Sequence, residues 1–287
     1  MKKSICYSPF NEGDFDRFKS SKFKKIKEAG FDCVDYEITN TNSFLYTASF
    51  EEVKEYAIKE KELASKSGVE INQMHGPWRF PPRDLEEADR IERMEKMKRS
   101  IWLASLLECK YWVVHPIMPF GIEDKGTGNE SKTRELNLAF MKELLATAKE
   151  CGVIICLENM PFKDFSLSTP DEILGFVREI DDENFKICLD TGHVVCINEE
   201  TPADAVRKLG DEICALHVHD TKAFHDYHLM PYCGEIDWKD FGKALNEIGF
   251  DGAFSWEIKL GSKYSDKTFM SGAKLLSDIA DEIIACK

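Results

Sequence analysis

Basic residues are outnumbered. The chain has 38 Lys and Arg against 52 Asp and Glu, a formal net charge of −14. A nucleic-acid partner needs a basic footprint to neutralise phosphates, so this balance argues against one. Long apolar runs are also missing. No stretch approaches the roughly 18 residues of a membrane-spanning helix, so no membrane partner is expected. The opening segment Met1-Lys2-Lys3-Ser4-Ile5-Cys6-Tyr7-Ser8-Pro9 lacks a long apolar core and does not read as a signal peptide. None of the 10 cysteines forms a Cys-x-x-Cys pair, which excludes a zinc ribbon and a thioredoxin-type motif. Cys156, Cys188 and Cys214 sit in apolar runs and read as small core residues. This usage predicts a reducing, cytoplasmic setting. No Pro/Gly/Ser-rich linker divides the chain, so 1–287 is expected to be a single domain with a substantial core.

What is present is an alternation. Short apolar runs read as buried parallel strands at Ser4–Ser8, Cys33–Ile38, Val69–His75, Tyr111–His115, Val153–Asn159, Lys186–Thr191, Cys214–Asp220 and Ala253–Ile258. Amphipathic, charged stretches lie between them. Val53, Tyr56, Ala57 and Leu63 share one helical face, as do Leu136, Phe140, Leu144 and Ala148. Ser67-Gly68-Val69 and Cys151-Gly152-Val153 read as helix, glycine stop, strand. Thr169-Pro170-Asp171-Glu172 reads as an N-cap, a first-turn proline and a reciprocal capping glutamate. Thr201-Pro202 starts a helix the same way. Eight such units in under 300 residues predict a single (β/α)8 TIM barrel. An open doubly wound sheet normally has a glycine-rich phosphate turn after its first strand. Ser8-Pro9-Phe10-Asn11-Glu12-Gly13 is not that turn.

The strand ends are unusual. Glu37, His75, His115, Glu158, Asp190, His219 and Glu257 all fall there. In a barrel these ends meet at the C-terminal rim, where active sites are built. Side chains alternate along a strand, so Cys156 shares a face with Glu158, Cys188 with Asp190, and His217 with His219. Buried carboxylates cost several kcal/mol each unless a cation or proton compensates. Glu158, Asp190 and Glu257 offer hard oxygen donors and His219 an imidazole. That mixture suits one divalent cation, Mn2+, Zn2+ or Mg2+. Trp78 and Phe80 could form an apolar wall over a bound ligand. Arg79 and Lys222 are the candidates for holding an anionic substrate group, although no phosphate-cradling glycine loop is present.

Leu157-Glu158-Asn159, Leu189-Asp190-Thr191-Gly192-His193, His217-Val218-His219-Asp220 and Trp256-Glu257 occur in order on four successive strands. Gly234-Glu235-Ile236-Asp237-Trp238 follows the third of them. Together they resemble the xylose isomerase-like superfamily, and within it the sugar phosphate isomerase/epimerase group. The resemblance implies one metal ion held by Glu158, Asp190, His219 and Glu257. It implies that Glu158 and Glu257 also move protons at a carbon beside a carbonyl, giving isomerisation or epimerisation of a small sugar or polyol-like ketone. His193 matches a histidine that bonds a substrate oxygen. His75 and His115 are expected to line the same pocket with Trp78 and Lys222. Homo-oligomers are common in this group.

Other readings stay open. Endonuclease IV-type phosphodiesterases resemble this chain too and bind three zinc ions. Asp226-Tyr227-His228 copies their Asp-x-His pair, so Asp226 and His228 are candidate extra metal ligands. The charge of −14 disfavours this reading. An inosose dehydratase-like lyase and a non-catalytic sugar-binding barrel are the remaining alternatives.

Overall fold

The computed structural model describes residues 1–8, 15–82 and 84–287. Most of the segment after the first strand, from Pro9 to Gly13, lies outside them. The strands are β1 (Lys2–Tyr7), β2 (Cys33–Tyr36), β3 (Glu70–His75), β4 (Tyr111–Val114), β5 (Ile154–Glu158), β6 (Phe185–Asp190), β7 (Ile213–His217), β8 (Asp220–Lys222), β9 (His225–Leu229) and β10 (Ala253–Trp256). Eight of them form one parallel sheet in the order β10-β1-β2-β3-β4-β5-β6-β7. The two ends of that sheet meet. Val218 N–H donates to Ser255 O at 2.8 Å, and Glu257 N–H donates to Val218 O at 2.9 Å. The result is the expected TIM barrel.

Helices cover its outside. The punctuation read from the sequence is what starts and stops several of them. Thr169 Oγ1 accepts from Glu172 N–H, and the Glu172 carboxylate accepts from Thr169 N–H at 2.9 Å, opening the helix Pro170–Ile180. Thr201 caps Pro202–Leu209 through Asp204 N–H. Gly68 and Gly152 end Phe50–Ser67 and Glu130–Cys151 in the left-handed conformation, at φ of 68° and 67°. A side chain there would clash with its own carbonyl, hence glycine.

Alternation along the strands sorts the barrel into two cores. Trp112, Val114, Ile155, Leu157, Leu189 and Leu216 point outward into the apolar layer beneath the helices. Val113, Cys156, Cys188 and Ala215 form a separate small cluster inside the barrel. Each lies two residues before His115, Glu158, Asp190 or His217. These small residues are the floor on which the polar residues stand. All ten cysteines are free thiols.

Two features depart from the sequence reading. The strand expected over Cys214–Asp220 stops at His217, where Asp190 and His217 are register partners. The chain beyond it turns into an antiparallel hairpin, β8 with β9. Among the described residues no helix is long and apolar enough to cross a membrane.

Candidate active site

Glu158, at the end of β5, is buried and held on both carboxylate oxygens. Oε1 lies 2.9 Å from His217 Nδ1. Oε2 lies 2.9 Å from His115 Nε2 and 3.3 Å from His75 Nε2. Burial alone would raise this carboxyl's pKa. His217 and His115 overcome that and hold it well below the usual range. Burial pushes His115 down to about 4, so it is a neutral imidazole at pH 7. Trp78 packs edge-on against it, with ring centroids 4.2 Å apart.

Asp190 ends β6 and turns the chain. Its Oδ1 accepts from His193 N–H at 2.7 Å, capping the short helix Thr191–Ile197. Asn159 fastens β5 to β6 beside it, donating to Asp190 O at 3.0 Å and accepting from Asp190 N–H at 2.8 Å. Asp190 is lowered to about 2, because His193 and His219 outweigh its burial. The His193 ring is fixed by Asn159 O, 2.7 Å from Nδ1. Although buried, it is raised to about 10 by Asp190, Asp226 and Glu158.

The hairpin brings a further pair over the rim. Asp226 Oδ2 lies 3.3 Å from His228 Nε2 and 3.6 Å from His193 Nε2. His228 stacks on His219, with centroids 3.9 Å apart and rings 13° from parallel. Its Nδ1 is anchored on Glu257 O at 2.9 Å. Despite burial, Glu257, Asp226 and Asp190 raise it to about 10.

Glu257 completes the ring of carboxylates. Burial, together with the charges of Asp190 and Glu158, pushes it up to about 7 against the pull of His217 and His228. One ligand atom from each of Glu158, Asp190, His217 and Glu257 lies within 4.8 Å of the others. The histidine in this group is His217; the expected ligand His219 falls in two other groups, one with Asp190 and His193 and one with Asp226 and His228. The reason is the strand end. His217 stands level with Asp190 in the sheet, whereas His219 lies beyond β7 and faces Asp190 Oδ1 at 3.2 Å and Asp226 Oδ1 at 3.6 Å. The donor set fits a divalent cation. Three carboxylates converge with no Lys or Arg partner among the described residues, and buried Asp190 Oδ2 and His219 Nε2 have no hydrogen-bond partner among them.

A cavity of about 330 Å³ opens onto this cluster. Thr39, His75, His115, Glu158, His193, Asp226, His228 and Glu257 supply its polar lining, and Trp78, Phe80, Met160, Pro161 and Phe162 its apolar wall. With this geometry, the sequence match is decisive: the profile of the xylose isomerase-like TIM barrel matches residues 23–279. The chain belongs to that family. It is 27% identical to the D-psicose 3-epimerase of Enterocloster bolteae over 263 residues, 88% of this chain and 80% of the relative. It superimposes on the crystal structure of a D-tagatose 3-epimerase-like protein with a TM-score of 0.76 and 27% identity, covering 99% of this chain and 97% of the other. The fold also matches the IOLI protein with a bound zinc atom, with a TM-score of 0.73 and 18% identity, covering 99% of this chain and all of the other.

Within this family member, the pocket contains five of the expected residues besides the glutamates: His75, His115, His193, Asp226 and His228, with Trp78 as part of the wall. Lys222 does not line it; that side chain is exposed on β8. Arg79 points to Asp89, 3.9 Å away, outside the cavity. Asp35, Gln73 and His217 were not foreseen. A signal existed: each stands two residues before a flagged strand-end residue (Glu37, His75 and His219) and so faces the same way.

Proposed function

We propose that this protein is a divalent-metal-dependent isomerase or epimerase of a small, unphosphorylated sugar or polyol-like ketone. The observation that carries the reading is the pairing of Glu158 and Glu257 at one cavity, with Asp190 and His217 grouped beside them close enough to share a cation. Its epimerase relatives support the same chemistry. Among the described residues no Lys or Arg lines the cavity, which supports an uncharged substrate.

Glu158, Asp190, His217 and Glu257 would hold Mn2+, Zn2+ or Mg2+. When bound, such an ion acts as a Lewis acid on the substrate carbonyl, lowering the cost of removing a neighbouring proton. The chain's residues do the rest. Glu158 and Glu257 each hold a carboxylate toward the substrate, so one can remove a proton from a carbon beside the carbonyl and the other can return it. Removal and return on opposite faces inverts the carbon. His193, fixed by Asn159 O, donates Nε2–H to a substrate oxygen. Trp78, Phe80 and Phe162 exclude water from the outer half of the pocket.

The test is turnover on a panel of free ketoses with added Mn2+, Mg2+ or Zn2+. Interconversion of two epimers or of a ketose and an aldose is the expected result. Loss of water from an inosose would indicate a lyase, and sugar binding without turnover a non-catalytic barrel.

One observation favours a second reading. Three further groups, His75 with His115 and Glu158, Asp190 with His193 and His219, and His219 with Asp226 and His228, also bring ligand atoms within 4.8 Å. Three zinc ions per chain by elemental analysis, with cleavage at an abasic site, would replace the isomerase by an endonuclease IV-type phosphodiesterase. One ion per chain supports the isomerase.

A further inference from the structure

Beneath the cation site, a buried chain of hydrogen bonds crosses the barrel. His217 Nε2 lies 2.8 Å from Asp35 Oδ2. The same Oδ2 accepts from Gln73 Nε2 at 2.8 Å, and Gln73 Nε2 also reaches Leu216 O at 3.1 Å. Asp35 and Gln73 are 0% exposed and His217 is 1% exposed. Asp35 on β2 and Gln73 on β3 are register partners on neighbouring strands, and their contacts with His217 and Leu216 on β7 span the interior to a strand that neighbours neither. A carboxylate in this position has a high desolvation cost. Nothing about barrel closure requires it, since the cluster of Val113, Cys156, Cys188 and Ala215 fills the adjacent interior with apolar and thiol groups.

We propose that Asp35 and Gln73 are positioning residues for the cation site: Asp35 fixes the His217 ring by accepting Nε2–H, and Gln73 fixes Asp35. The inference rests on the metal-dependent reading above. A ligating histidine commonly gives its second ring N–H to a carboxylate, which sets the tautomer and aims the other nitrogen. Here that other nitrogen is Nδ1, which faces Glu158 Oε1 at 2.9 Å and Glu257 Oε2 at 3.5 Å. Asp35 touches neither the cavity nor the other carboxylates of the cluster. It acts through the imidazole alone.

The experiment strips the protein with a chelator and titrates it with Mn2+, comparing wild type with Asp35→Asn, Asp35→Ala and Gln73→Leu. Free Mn2+ is read by its EPR signal, and the fold by circular dichroism. Wild type should bind Mn2+ and show 14N coupling from one histidine in pulsed EPR. Asp35→Asn, which keeps the side-chain volume, should raise the Kd about tenfold, and Asp35→Ala toward a hundredfold, with the 14N coupling weakened. Gln73→Leu should fall between wild type and Asp35→Asn. A folded Asp35→Asn with wild-type affinity and unchanged 14N coupling overturns the proposal, whatever Asp35→Ala does. Failure of the wild type itself to bind a divalent ion overturns the metal-dependent function as well, so the two failures are separable.

Discussion

Glu158 and Glu257 meet at one imidazole nitrogen: His217 Nδ1 lies 2.9 Å from Glu158 Oε1 and 3.5 Å from Glu257 Oε2. The two carboxyls are nevertheless pushed apart in acidity. Glu158 is gripped by further imidazoles and stays ionised, while burial and its negative neighbours raise Glu257 to about 7. Paired carboxyls whose surroundings separate their pKa values divide acid and base roles between them. On the proposed reading, Glu158 would be the standing anion and Glu257 the group that gains and loses a proton.

The first prediction follows from that division. Glu257→Gln should reduce turnover by a factor of about 10² or more, since a positioned acid or base contributes roughly 10²–10⁴. Glu158→Gln should cost turnover and also metal affinity, because His75, His115 and His217 lose the anion they surround. Circular dichroism should match wild type in both. Full activity in either variant would sink the proton-transfer assignment.

The second prediction separates two histidines. His217→Ala should abolish retention of a divalent ion on dialysis, a larger loss than the roughly 10–100-fold seen when an outer partner of a ligand is removed. His219→Ala should retain at least one ion per chain. Elemental analysis of the two dialysed variants decides it, and the reverse pattern would restore His219 as the ligand.

The sequence was most informative where physics is local. Capping at Thr169, the glycine stops at Gly68 and Gly152, and the apolar strand runs each depend on a few neighbouring residues, and the eightfold alternation followed from them. Rim placement of His75, His115, Glu158, Asp190 and Glu257 was legible for the same reason: each breaks an apolar run. The grouping of His217, rather than His219, with all three carboxylates was not. Both have the same parity on one strand, so alternation cannot separate them. Only the end of pairing at His217, opposite Asp190, does so. Asp35 and Gln73 were hidden more deeply, because their partners across the barrel, His217 for Asp35 and Leu216 O for Gln73, lie more than 140 residues away along the chain. Lys222 was expected in the pocket just beyond a strand read as Cys214–Asp220; the hairpin that starts at Asp220 instead leaves its side chain exposed.

The third prediction concerns a close approach. A Cβ added at Gly192 would stand 1.9 Å from His219 Cε1 and 2.5 Å from its Nε2. His219 is fully buried and packed against His228, so its ring has nowhere to go. Gly192→Ala should destabilise the protein by about 1–3 kcal/mol, the usual cost of overpacking, and displace the hairpin residues Asp226 and His228 from the pocket. A melting temperature equal to wild type would show that the short helix Thr191–Ile197 yields instead.

The last prediction is a pH dependence. His193 and His228 are raised to about 10 from an ordinary 6.5, against their burial, by Asp190, Asp226 and Glu257 among others. A group with a raised pKa in the fold contributes stability fully below its unfolded pKa and loses it as pH climbs through the folded value. Their contribution is therefore complete near pH 6 and fades between about 6.5 and 10. Glu257, raised to about 7, acts in the same direction between about 4.5 and 7, since ionising it inside the fold is penalised. His115, lowered to about 4, opposes this, but only below 6.5. Chelator-treated protein should therefore melt at progressively lower temperature from pH 7 to 10. Saturating divalent cation should flatten that fall, because ligands bind it in their deprotonated forms. Thermal scans at pH 6.5, 8 and 9.5, with and without chelator, supply the measurement. A stripped protein whose melting temperature is constant or rises over this range would contradict the imidazolium–carboxylate pairing on which the rim is built.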